Sequence, residues 1–348
     1  MIENKVCIKS LTMPKLEEFL ISMGEPKYRA KQIFKWLSQN VKSFDEMSDI
    51  SKKLREKLNE ACYINDVKIV SKQVSKLDGT IKYLFELQDG NCIETVLMQY
   101  EHGNSICIST QAGCKMGCAF CASFDKGRTR NLTPAEIYDQ ILSAQYDSGR
   151  KVSNIVLMGT GEPLDNYDNV IDFLRIISDE NGVNIGMRHI SLSTCGIVPK
   201  IYELAKLKLQ LTLSISLHCP INEIRSTIMP INKSYNVETL IKACKDYFKT
   251  TGRRISFEYA MIDGKTDSKE CADKLIEFFK GFPAHMNLIP LNHVEGSPLE
   301  PTPMKKIKQF QNYLIKNGIN TTIRRSLGGD ISASCGQLRK KYIEGESR

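Results

Sequence analysis

The sequence predicts an α/β fold built around a barrel-type sheet of parallel strands. The first basis is a regular alternation, from about residue 105, of short β-branched runs with longer amphipathic stretches. The second is a change of hydrophobic period before that point, from helical in residues 1–64 to a two-residue period in 66–110. The third is size, since 348 residues of which 41% are hydrophobic and 25% charged suffice for a full core.

Three helices are predicted in residues 1–64. Pro14 can occupy the first turn of the first helix, and the second covers the apolar positions of 28–37. The third is expected to begin after Asp49 or Ser51, because either side chain can accept a hydrogen bond from the first backbone N–H groups of a helix. We interpret this part as a helical accessory domain.

A β-hairpin extension is predicted in residues 65–104. Its two alternating runs, 66–75 and 80–88, flank Asp78-Gly79, a dipeptide that favours a tight turn. Further strands are expected at 92–100 and 104–110.

The parallel part is predicted over residues 105–325. Functional side chains are expected on the loops that leave the carboxyl ends of its strands. The strands are expected near 105–110, 153–159, 188–194, 210–217, 254–262, 284–291 and 319–325. The helices are expected near 133–149, 166–181, 197–206, 236–250, 268–281 and 302–317. A C-terminal segment, 326–348, follows.

The cysteine content and the absence of long apolar runs favour a location in the reducing cytoplasm. Twelve cysteines occur in a chain whose first ten residues lack the apolar stretch of a secretion signal. No run approaches the ~18 apolar residues that a membrane span requires. We therefore expect a cytoplasmic protein without membrane association, in which cysteines bind metal or take part in catalysis.

The net charge of +8 is concentrated in residues 302–348, which hold ten Lys or Arg and three acidic residues. Such a segment attracts a polyanion such as RNA. A solvated basic helix and tail would have the same composition, so charge alone leaves both interpretations open. Arg128 and Arg130 are further candidates for phosphate contacts.

Three cysteines lie close together in the loop after the first parallel strand: Cys114, Cys118 and Cys121. Structural zinc sites and electron-transfer iron–sulfur clusters each take four protein ligands. Three thiols without a nearby fourth instead predict a 4Fe–4S cluster with one iron open to a ligand that is not protein. The C-x₃-C-x₂-C spacing resembles that of the radical S-adenosylmethionine (SAM) superfamily, in which SAM binds the open iron and is cleaved to a 5′-deoxyadenosyl radical.

Small polar groups follow several other predicted strands. Gly161 and Glu162 belong to a G-x-G-E turn, in which glycine permits close approach to a ligand and the carboxylate can accept bonds from an ammonium group. A tight structural turn would look the same. Other strand-end groups that could bond to a nucleoside are Ser193, Ser216, His218 and Asn292. His218 could equally be a structural histidine.

Three further candidates lie outside these motifs, and one of them, Cys107, is on a strand that points to the predicted site. Cys107 precedes the first cluster cysteine by seven residues, Glu94 lies in an I-E-T-V strand, and Cys335 lies in S-A-S-C-G-Q-L. Taken singly, each has a plainer interpretation, as a core cysteine, a solvated carboxylate and a loop cysteine.

Over nearly its whole length the chain resembles the RlmN/Cfr family of radical SAM RNA methyltransferases. Pro163 favours the branch that methylates carbon 2 of an adenine in 23S ribosomal RNA, because the carbon-8 branch, Cfr, usually has Ala there. Thr160 departs from the family, in which Met is common. The matching segments are EPKYRAKQI at 25–33, IETV at 93–96, CISTQAGCKMGCAFC at 107–121, RNLT at 130–133, GEPL at 161–164, SISLH at 214–218, MPIN at 229–232, NLIPLN at 287–292 and ASCGQL at 333–338.

This resemblance implies a partial (β/α)6 radical SAM barrel with an RNA-binding N-terminal module, the hairpin extension and the basic tail. It makes Cys335 the methyl-carrying cysteine, Cys107 the cysteine that resolves it through a transient disulfide, and Glu94 the proton acceptor. The implied ligands of the 4Fe–4S cluster are Cys114, Cys118 and Cys121. The implied SAM-binding residues are Gly161, Glu162, Ser193, Ser216, Leu217, His218 and Asn292.

The resemblance also implies partners and a route. The substrate would be 23S rRNA at the peptidyl-transferase centre, with transfer RNA as a further substrate of some members. The enzyme would be a monomer that receives electrons from a donor such as flavodoxin or ferredoxin. Carbon 2 of adenine lies between two ring nitrogens and is too electron-poor to attack a sulfonium methyl group. The implied route uses two SAM molecules per turnover: one methylates the Cys335 thiolate, and the radical from the other activates that methyl for addition to carbon 2. Glu94 or the Cys107 thiolate would then remove the carbon-2 proton.

Three alternatives remain open. The nearest is a Cfr-type carbon-8 methyltransferase, which confers resistance to ribosomal antibiotics. The second is a radical enzyme with a small-molecule substrate. The third is a non-catalytic RNA protein that binds zinc through the three cysteines and one of the five histidines.

Overall fold

The computed structural model describes residues 5–101, 103–122, 130–291, 298–331 and 338. These residues form a ten-stranded mixed sheet, two separate two-stranded pairs, and the helices that cover them. No helix in the described part of the chain is both long enough and apolar enough to cross a membrane.

The N-terminal part contains the three predicted helices. Ser51 is the N-cap of the third helix, where its hydroxyl accepts a hydrogen bond from the N–H of Leu54 (3.3 Å). Two short strands, β1 and β2, pair in parallel and join the two ends of this part. The elements are β1 (Val6–Cys7), α1 (Met13–Ser22), α2 (Arg29–Leu37), α3 (Lys52–Ala61) and β2 (Cys62–Tyr63).

Four antiparallel strands follow, and the first two form the predicted hairpin. In its turn Gly79 has φ +70°, a left-handed conformation that glycine adopts without strain. The strands are β3 (Lys68–Val74), β4 (Ile81–Glu86), β5 (Cys92–Tyr100) and β6 (Gly103–Cys107).

The remaining elements build the parallel part of the sheet. The strands are β7 (Gln111–Ala112) and β8 (Arg130–Asn131), which pair with each other, and β9 (Val152–Leu157), β10 (Ile190–Thr194), β11 (Thr212–Ser216), β12 (Ile255–Met261), β13 (Ala284–Pro290) and β14 (Asn320–Ile323). The helices are α4 (Pro134–Ser148), α5 (Tyr167–Ser178), α6 (Val198–Lys206), α7 (Asn222–Ile228), α8 (Val237–Thr251), α9 (Lys269–Phe279) and α10 (Met304–Lys316).

The α/β fold class is confirmed. In the large sheet the strand order is β14-β13-β12-β11-β10-β9-β6-β5-β4-β3, and the seven strands from β14 to β6 are parallel with helical connections, as in a partial (β/α)6 barrel. The predicted strands and helices of this part are present, with ends that differ by at most three residues. The predicted boundary at residues 104 and 105 falls inside β6, and the four domain limits remain a prediction.

The large sheet has one apolar and one polar face. Alternate residues such as Ile106, Ile155 and Leu192 are buried in the main core. The opposite set, which we call the inner face, is polar along the parallel strands, as at Ser191 and Ser214. Because one face is filled by helices, ligands can reach the sheet only at the inner face and at the strand ends.

A buried ion pair fixes the N-terminal part to the barrel. Lys9 Nζ lies 2.7 Å from Asp139 Oδ1 on α4, and both side chains are fully buried. Asn65 donates from Nδ2 to the other carboxylate oxygen (2.6 Å). The interface between these parts therefore contains charge as well as apolar surface.

Candidate active site

The three cysteines of the predicted cluster lie in one loop between β7 and β8. Gly113 and Gly117 have φ of +92° and +70°, so the loop uses left-handed conformations on both sides of Cys114. The N–H of Cys121 donates to the carbonyl oxygen of Cys118 (3.1 Å), which turns the chain between these two residues. The loop therefore keeps three half-buried thiols close to the carboxyl ends of the strands.

The thiols interact electrically with one another. Burial first and the charge of the neighbouring Cys121 second raise the pKa of Cys114 to about 11 and that of Cys118 to about 12. Such thiols remain protonated in water at neutral pH. Metal binding displaces these protons, so the loop suits a cationic centre that would hold the sulfurs as thiolates.

The cysteine loop offers three sulfur donors to a metal centre. Within the described ranges, no three His, Cys, Asp or Glu side chains converge as ligands of one metal ion would. A 4Fe–4S cube takes one thiolate on each iron, so three cysteine ligands can stand farther apart than ligands of one ion. Cys114, Cys118 and Cys121 would hold such a cluster, and the choice between iron–sulfur and zinc at these thiols stays a prediction.

The G-x-G-E turn after β9 is packed against β6 and the residues that follow it. A Cβ at Gly159 would lie 2.7 Å from the carbonyl carbon and oxygen of Ile108. At Gly161, where φ is +108°, a Cβ would lie 2.6 Å from Cβ of Gln111. The glycines therefore permit close packing of two strand ends, whereas the sequence analysis explained them by close approach of a ligand.

Glu162 is buried at the carboxyl ends of two strands. Its Oε1 accepts a hydrogen bond from the N–H of Leu164 (3.0 Å) and its Oε2 one from the N–H of Cys195 (2.7 Å). Burial raises the pKa of this carboxyl, and the two backbone donors oppose that shift. An oxygen of a carboxylate has two lone pairs, so these bonds leave capacity for an ammonium donor.

The predicted SAM-binding residues of β10 and β11 lie side by side. Ser193 is the direct neighbour of Ser214, and Ser216 is the direct neighbour of Glu258 on β12. A cavity of about 490 Å³ lies along the same inner face, and its lining includes Ser191, Ser214, Arg253, Ser256, Glu258 and His285. The cavity is polar, but its lining lies toward the amino ends of the strands, as at Thr212, and includes none of the predicted SAM-binding residues that the structure describes.

Leu217 and His218 connect β11 to the cysteine loop. The N–H groups of both residues donate to the carbonyl oxygen of Glu258 (3.1 and 3.2 Å), and His218 Nδ1 accepts from the N–H of Ala260 (2.9 Å). The imidazole meets the ring of Phe120 edge to face, with 4.6 Å between centroids. Burial lowers the pKa of His218 to about 3, so the ring is neutral and donates only from Nε2.

Sequence analysis missed Arg225, which fixes the same strand ends. Its guanidinium is fully buried and donates to the carbonyl oxygens of Leu217 (2.9 Å), Cys195 (3.0 Å) and Ser216 (3.1 Å). Five N–H donors in one plane suit several carbonyls at once. A lone Arg in a short helix gives no sequence signal for this role.

Glu94 and Cys107 share the inner face of the antiparallel strands. Leu84 is directly opposite Glu94, and Val96, two residues further along β5, is directly opposite Cys107. Because residues two apart in a strand point to the same side, Glu94 and Cys107 are diagonal neighbours on one face. Both side chains are buried, and the structure corrects the alternative of Glu94 as a solvated carboxylate.

Lys82 is a second residue that sequence analysis missed. Its Nζ lies 3.0 Å from Glu94 Oε2, and its side chain is fully buried. In the register of the sheet it lies directly opposite Val96, so it belongs to the inner face.

Two predicted site residues, Cys335 and Asn292, lie outside the described residues. Leu338, three residues beyond Cys335, is described and fully buried against Leu84 and Cys92. Both of these contacts belong to the inner face that carries Glu94. The pairing of Cys107 with Cys335 stays a prediction.

Arg130 is paired with two carboxylates in this structure, and its predicted phosphate contact stays a prediction. The guanidinium lies 2.7 Å from Glu136 and 2.6 Å from Asp89, so two carboxylates already neutralise it. Arg128 lies outside the described residues, as does the basic stretch 339–348.

Two family models match the chain. One is described as the N-terminal domain of the ribosomal RNA large subunit methyltransferase and matches residues 7–64. The other describes the radical SAM superfamily and matches residues 108–278. The first covers the helical N-terminal part, and the second contains the cysteine loop and the G-x-G-E turn.

Curated and solved relatives match over nearly the whole chain. A probable dual-specificity RNA methyltransferase RlmN of Clostridium novyi is 55% identical over 97% of this chain and 98% of the relative. Another of the same name, from Alkaliphilus oremlandii, is 53% identical over 98% and 99%. The crystal structure of a radical SAM methyltransferase from Sphaerobacter thermophilus is 42% identical, with a TM-score of 0.90 over 95% of this chain and 98% of that chain.

Proposed function

Because the chain belongs to the RlmN family of radical SAM RNA methyltransferases, we propose that it methylates carbon 2 of an adenine in RNA. The proposed substrates are an adenine of 23S rRNA at the peptidyl-transferase centre and an adenine in the anticodon loop of transfer RNA. The names of the two curated relatives, both dual-specificity RNA methyltransferases, support two RNA substrates.

Family membership implies SAM and one 4Fe–4S cluster. When bound, the cluster would supply the single electron needed to cleave SAM and would accept the electron that is released when the later disulfide forms. Cys114, Cys118 and Cys121 would hold the cluster. SAM would bind between the G-x-G-E turn and the ends of β10 and β11, and Asn292 would complete this site. The proposed stoichiometry is two SAM molecules per methylated adenine.

The proposed covalent route uses Cys335 as the methyl carrier. Its thiolate takes a methyl group from a first SAM, and that methyl loses one hydrogen atom to the adenosyl radical. The resulting methylene radical adds to carbon 2 of adenine and links the RNA to the sulfur of Cys335. This order avoids nucleophilic attack by an electron-poor carbon.

Glu94 and Cys107 would complete the reaction. The Glu94 carboxylate takes the proton from carbon 2, and the electron pair of that C–H bond stays in the ring. Cys107 then bonds to the sulfur of Cys335, the carbon–sulfur bond breaks, and the released carbon takes a proton to become methyl. The disulfide must be reduced by an external dithiol before the next turnover.

One observation carries this proposal: Leu338 is buried on the inner face that presents Glu94 and Cys107. Leu338 is three positions after Cys335, and three steps of extended chain span at most about 11 Å. The contact therefore supports a route in which all three groups serve one adenine.

Two mass measurements test the proposal, one on the peptide that contains Cys335 and one on the modified adenosine of the RNA. The peptide that contains Cys335 should carry one methyl group after incubation with SAM in the absence of RNA, and RNA from a complete reaction should contain 2-methyladenosine. Cys335→Ala should abolish both signals, whereas Cys244→Ala, in the buried part of α8, should retain them. Formation of 8-methyladenosine, or an unmethylated Cys335 peptide with normal product, would overturn the proposal.

A covalent intermediate gives a second test. Cys107→Ala should accumulate protein linked to RNA, because the carbon–sulfur bond can then not be broken by disulfide formation. Turnover without any such adduct would show that Cys107 does not resolve the intermediate.

We further propose that the protein is a cytoplasmic monomer that receives electrons from flavodoxin or ferredoxin.

A further inference from the structure

Lys82 is an unusual lysine because its side chain is completely buried, although it lies near the start of β4. Lysines are almost never fully buried without a charged partner, and Glu94, 4% exposed and 3.0 Å away, is that partner. Removing two charges from water costs more than a typical pair returns, so a buried pair is weak support for stability. The position therefore requires an explanation other than stability.

The sheet register places Lys82 in the row that contains Cys107. Lys82 is opposite Val96 on β5, and Val96 is opposite Cys107 on β6. Glu94 lies in the adjacent row, opposite Leu84. One ammonium, one carboxylate and one thiol thus share a small area of the inner face.

The surroundings of this area contain few other charges among the described residues. On β3 the residue opposite Lys82 is Gln73, and on β9 the residue opposite Cys107 is Val156. Cys92 lies on the same face of β5, and Glu86 with its partner Lys68 lies at the far end of that face. Leu338, from the C-terminal segment, adds an apolar cover. Lys82 is therefore the cation closest to Glu94 on these strands.

We propose that Lys82 is a positioning residue that pairs with the Glu94 carboxylate and orients it for removal of the carbon-2 proton. The inference rests on the proposed function and adds a residue to it. In the step concerned, the carbon–hydrogen bond breaks, the proton goes to a carboxylate oxygen of Glu94, and the electron pair remains in the ring. Protonation of Glu94 removes the negative charge that lies 3.0 Å from Lys82 Nζ, which favours return of the proton to solvent and restores the ion pair.

A purely structural ion pair makes a different prediction. Under a structural role, loss of Lys82 would lower stability but would leave the pH dependence of the reaction unchanged in the folded fraction. Under the positioning role, a buried carboxylate that has lost its cation ionises less readily, so the reaction should become slow near neutral pH and recover as pH rises.

The test compares Lys82→Met and Lys82→Arg with the wild type as full-length, cluster-loaded enzymes. Methylation of Cys335, measured by peptide mass, should be unchanged in all three, because it precedes the proton step. Formation of 2-methyladenosine in single turnovers should fall at least tenfold in Lys82→Met at pH 7 and should increase with pH up to 9. Lys82→Arg should restore the rate to within about threefold, with the wild-type pH profile.

A covalent readout separates the proton step from the radical steps. Lys82→Met should accumulate the RNA–protein adduct during turnover, as Glu94→Gln should, and the two changes together should cause no further loss. Lys82→Gln provides a polar substitute if the Met variant does not fold.

Two results would overturn the inference. One is a Lys82 variant with a methylated Cys335 and the wild-type rate and pH profile. The other is an equal loss of rate at every pH without rescue by arginine, which indicates a structural role. A wild-type enzyme that forms no 2-methyladenosine would instead refute the proposed function, and the inference with it.

Discussion

The N–H of Gly328 donates a hydrogen bond to Asp78 Oδ2 over 2.7 Å and thereby joins the segment after β14 to the turn between β3 and β4. Asp330 adds two bonds to the same turn, from the hydroxyl of Ser75 (2.5 Å) and the N–H of Lys76 (2.8 Å). The chain that leads to Cys335 is therefore attached to the hairpin whose second strand carries Lys82.

This attachment should weaken in acid. Burial acts to raise the pKa of Asp78, but hydrogen bonds from Gly328 and Thr80 outweigh it and lower the pKa to about 2, from an ordinary 3.8. The pKa of Asp78 is lower in the folded state than in the unfolded state. The ionised carboxylate therefore contributes fully to the free energy of unfolding above about pH 4, and this contribution is lost as the pH falls through 2. Solvent screening limits it to under about 1 kcal/mol. The stability difference between wild type and Asp78→Ala, measured by urea unfolding, should shrink between pH 5 and pH 2.5.

The glycines of the G-x-G-E turn should not tolerate a methyl group. Gly159→Ala should lower the free energy of unfolding by about 1–3 kcal/mol, because its Cβ would overlap the backbone of Ile108. Gly161→Ala should cost more, since φ of +108° adds backbone strain to the overlap. Gly186→Ala is the matched control: no atom lies within 4 Å of its Cβ position, and φ is −63°. Equal losses for all three in urea unfolding would contradict the packing argument.

Loss of one partner of the Lys9–Asp139 pair should be costly. Lys9→Met leaves a buried carboxylate without its cation and should lower the free energy of unfolding by about 3–5 kcal/mol. The double variant Lys9→Met, Asp139→Leu should regain most of that loss, because no unpaired charge remains. Chemical denaturation of the four proteins checks this cycle, and additive losses would refute it.

Each cysteine of the cluster loop should be needed for iron. After anaerobic reconstitution the wild type should be brown and bind about four irons per chain, whereas alanine at Cys114, Cys118 or Cys121 should leave less than half of that iron. Cys244→Ala, a buried cysteine of α8, should bind iron like the wild type. Zinc in place of iron, with no visible absorption, would contradict the cluster.

RNA binding should depend steeply on salt, and lysines of α10 should contribute unequally. Lys305 and Lys308 are exposed, and their replacement by alanine should reduce the slope of log K against log salt by about 1. Lys306 lies 2.7 Å from Asp267 and 3.2 Å from Asp263, so Lys306→Ala should change the slope little. Filter binding at several salt concentrations measures both slopes, and a flat response would remove the electrostatic role of this helix.

Much of the fold could be predicted because its elements are periodic. Both ends of a helix such as α8 can be predicted from capping residues. Asn236 is its N-cap, and Gly252, in a left-handed conformation, follows its last residue. The short helix α7 could not be predicted, since it has seven residues and no capping side chain at Ile221. The assembly of hairpin and barrel into one sheet depends on β6, which pairs on one side with β5 and on the other with β9, far along the chain.

Site residues could be predicted where their spacing in the sequence is typical of a known chemistry, and not where only the fold brings them together. Three thiols at fixed intervals identify a cluster loop from the order of residues alone. Lys82, in contrast, lies in an alternating strand where a lysine normally faces solvent, and only the register that places Leu84 opposite Glu94 brings the ammonium to the carboxylate. Arg225 acts on three carbonyls at the ends of β10 and β11, and no sequence pattern encodes those distances.

The position of β6 in the middle of the ten-stranded sheet has a practical consequence for protein engineering. A barrel separated from the rest of the chain by deletion of residues 1–102 would expose the edge of β6 that β5 now covers. Bare edges recruit other strands, so the excised half should precipitate instead of remaining monomeric. Attempts to graft this catalytic barrel onto another RNA-recognition module would therefore have to carry β3, β4 and β5 along with it.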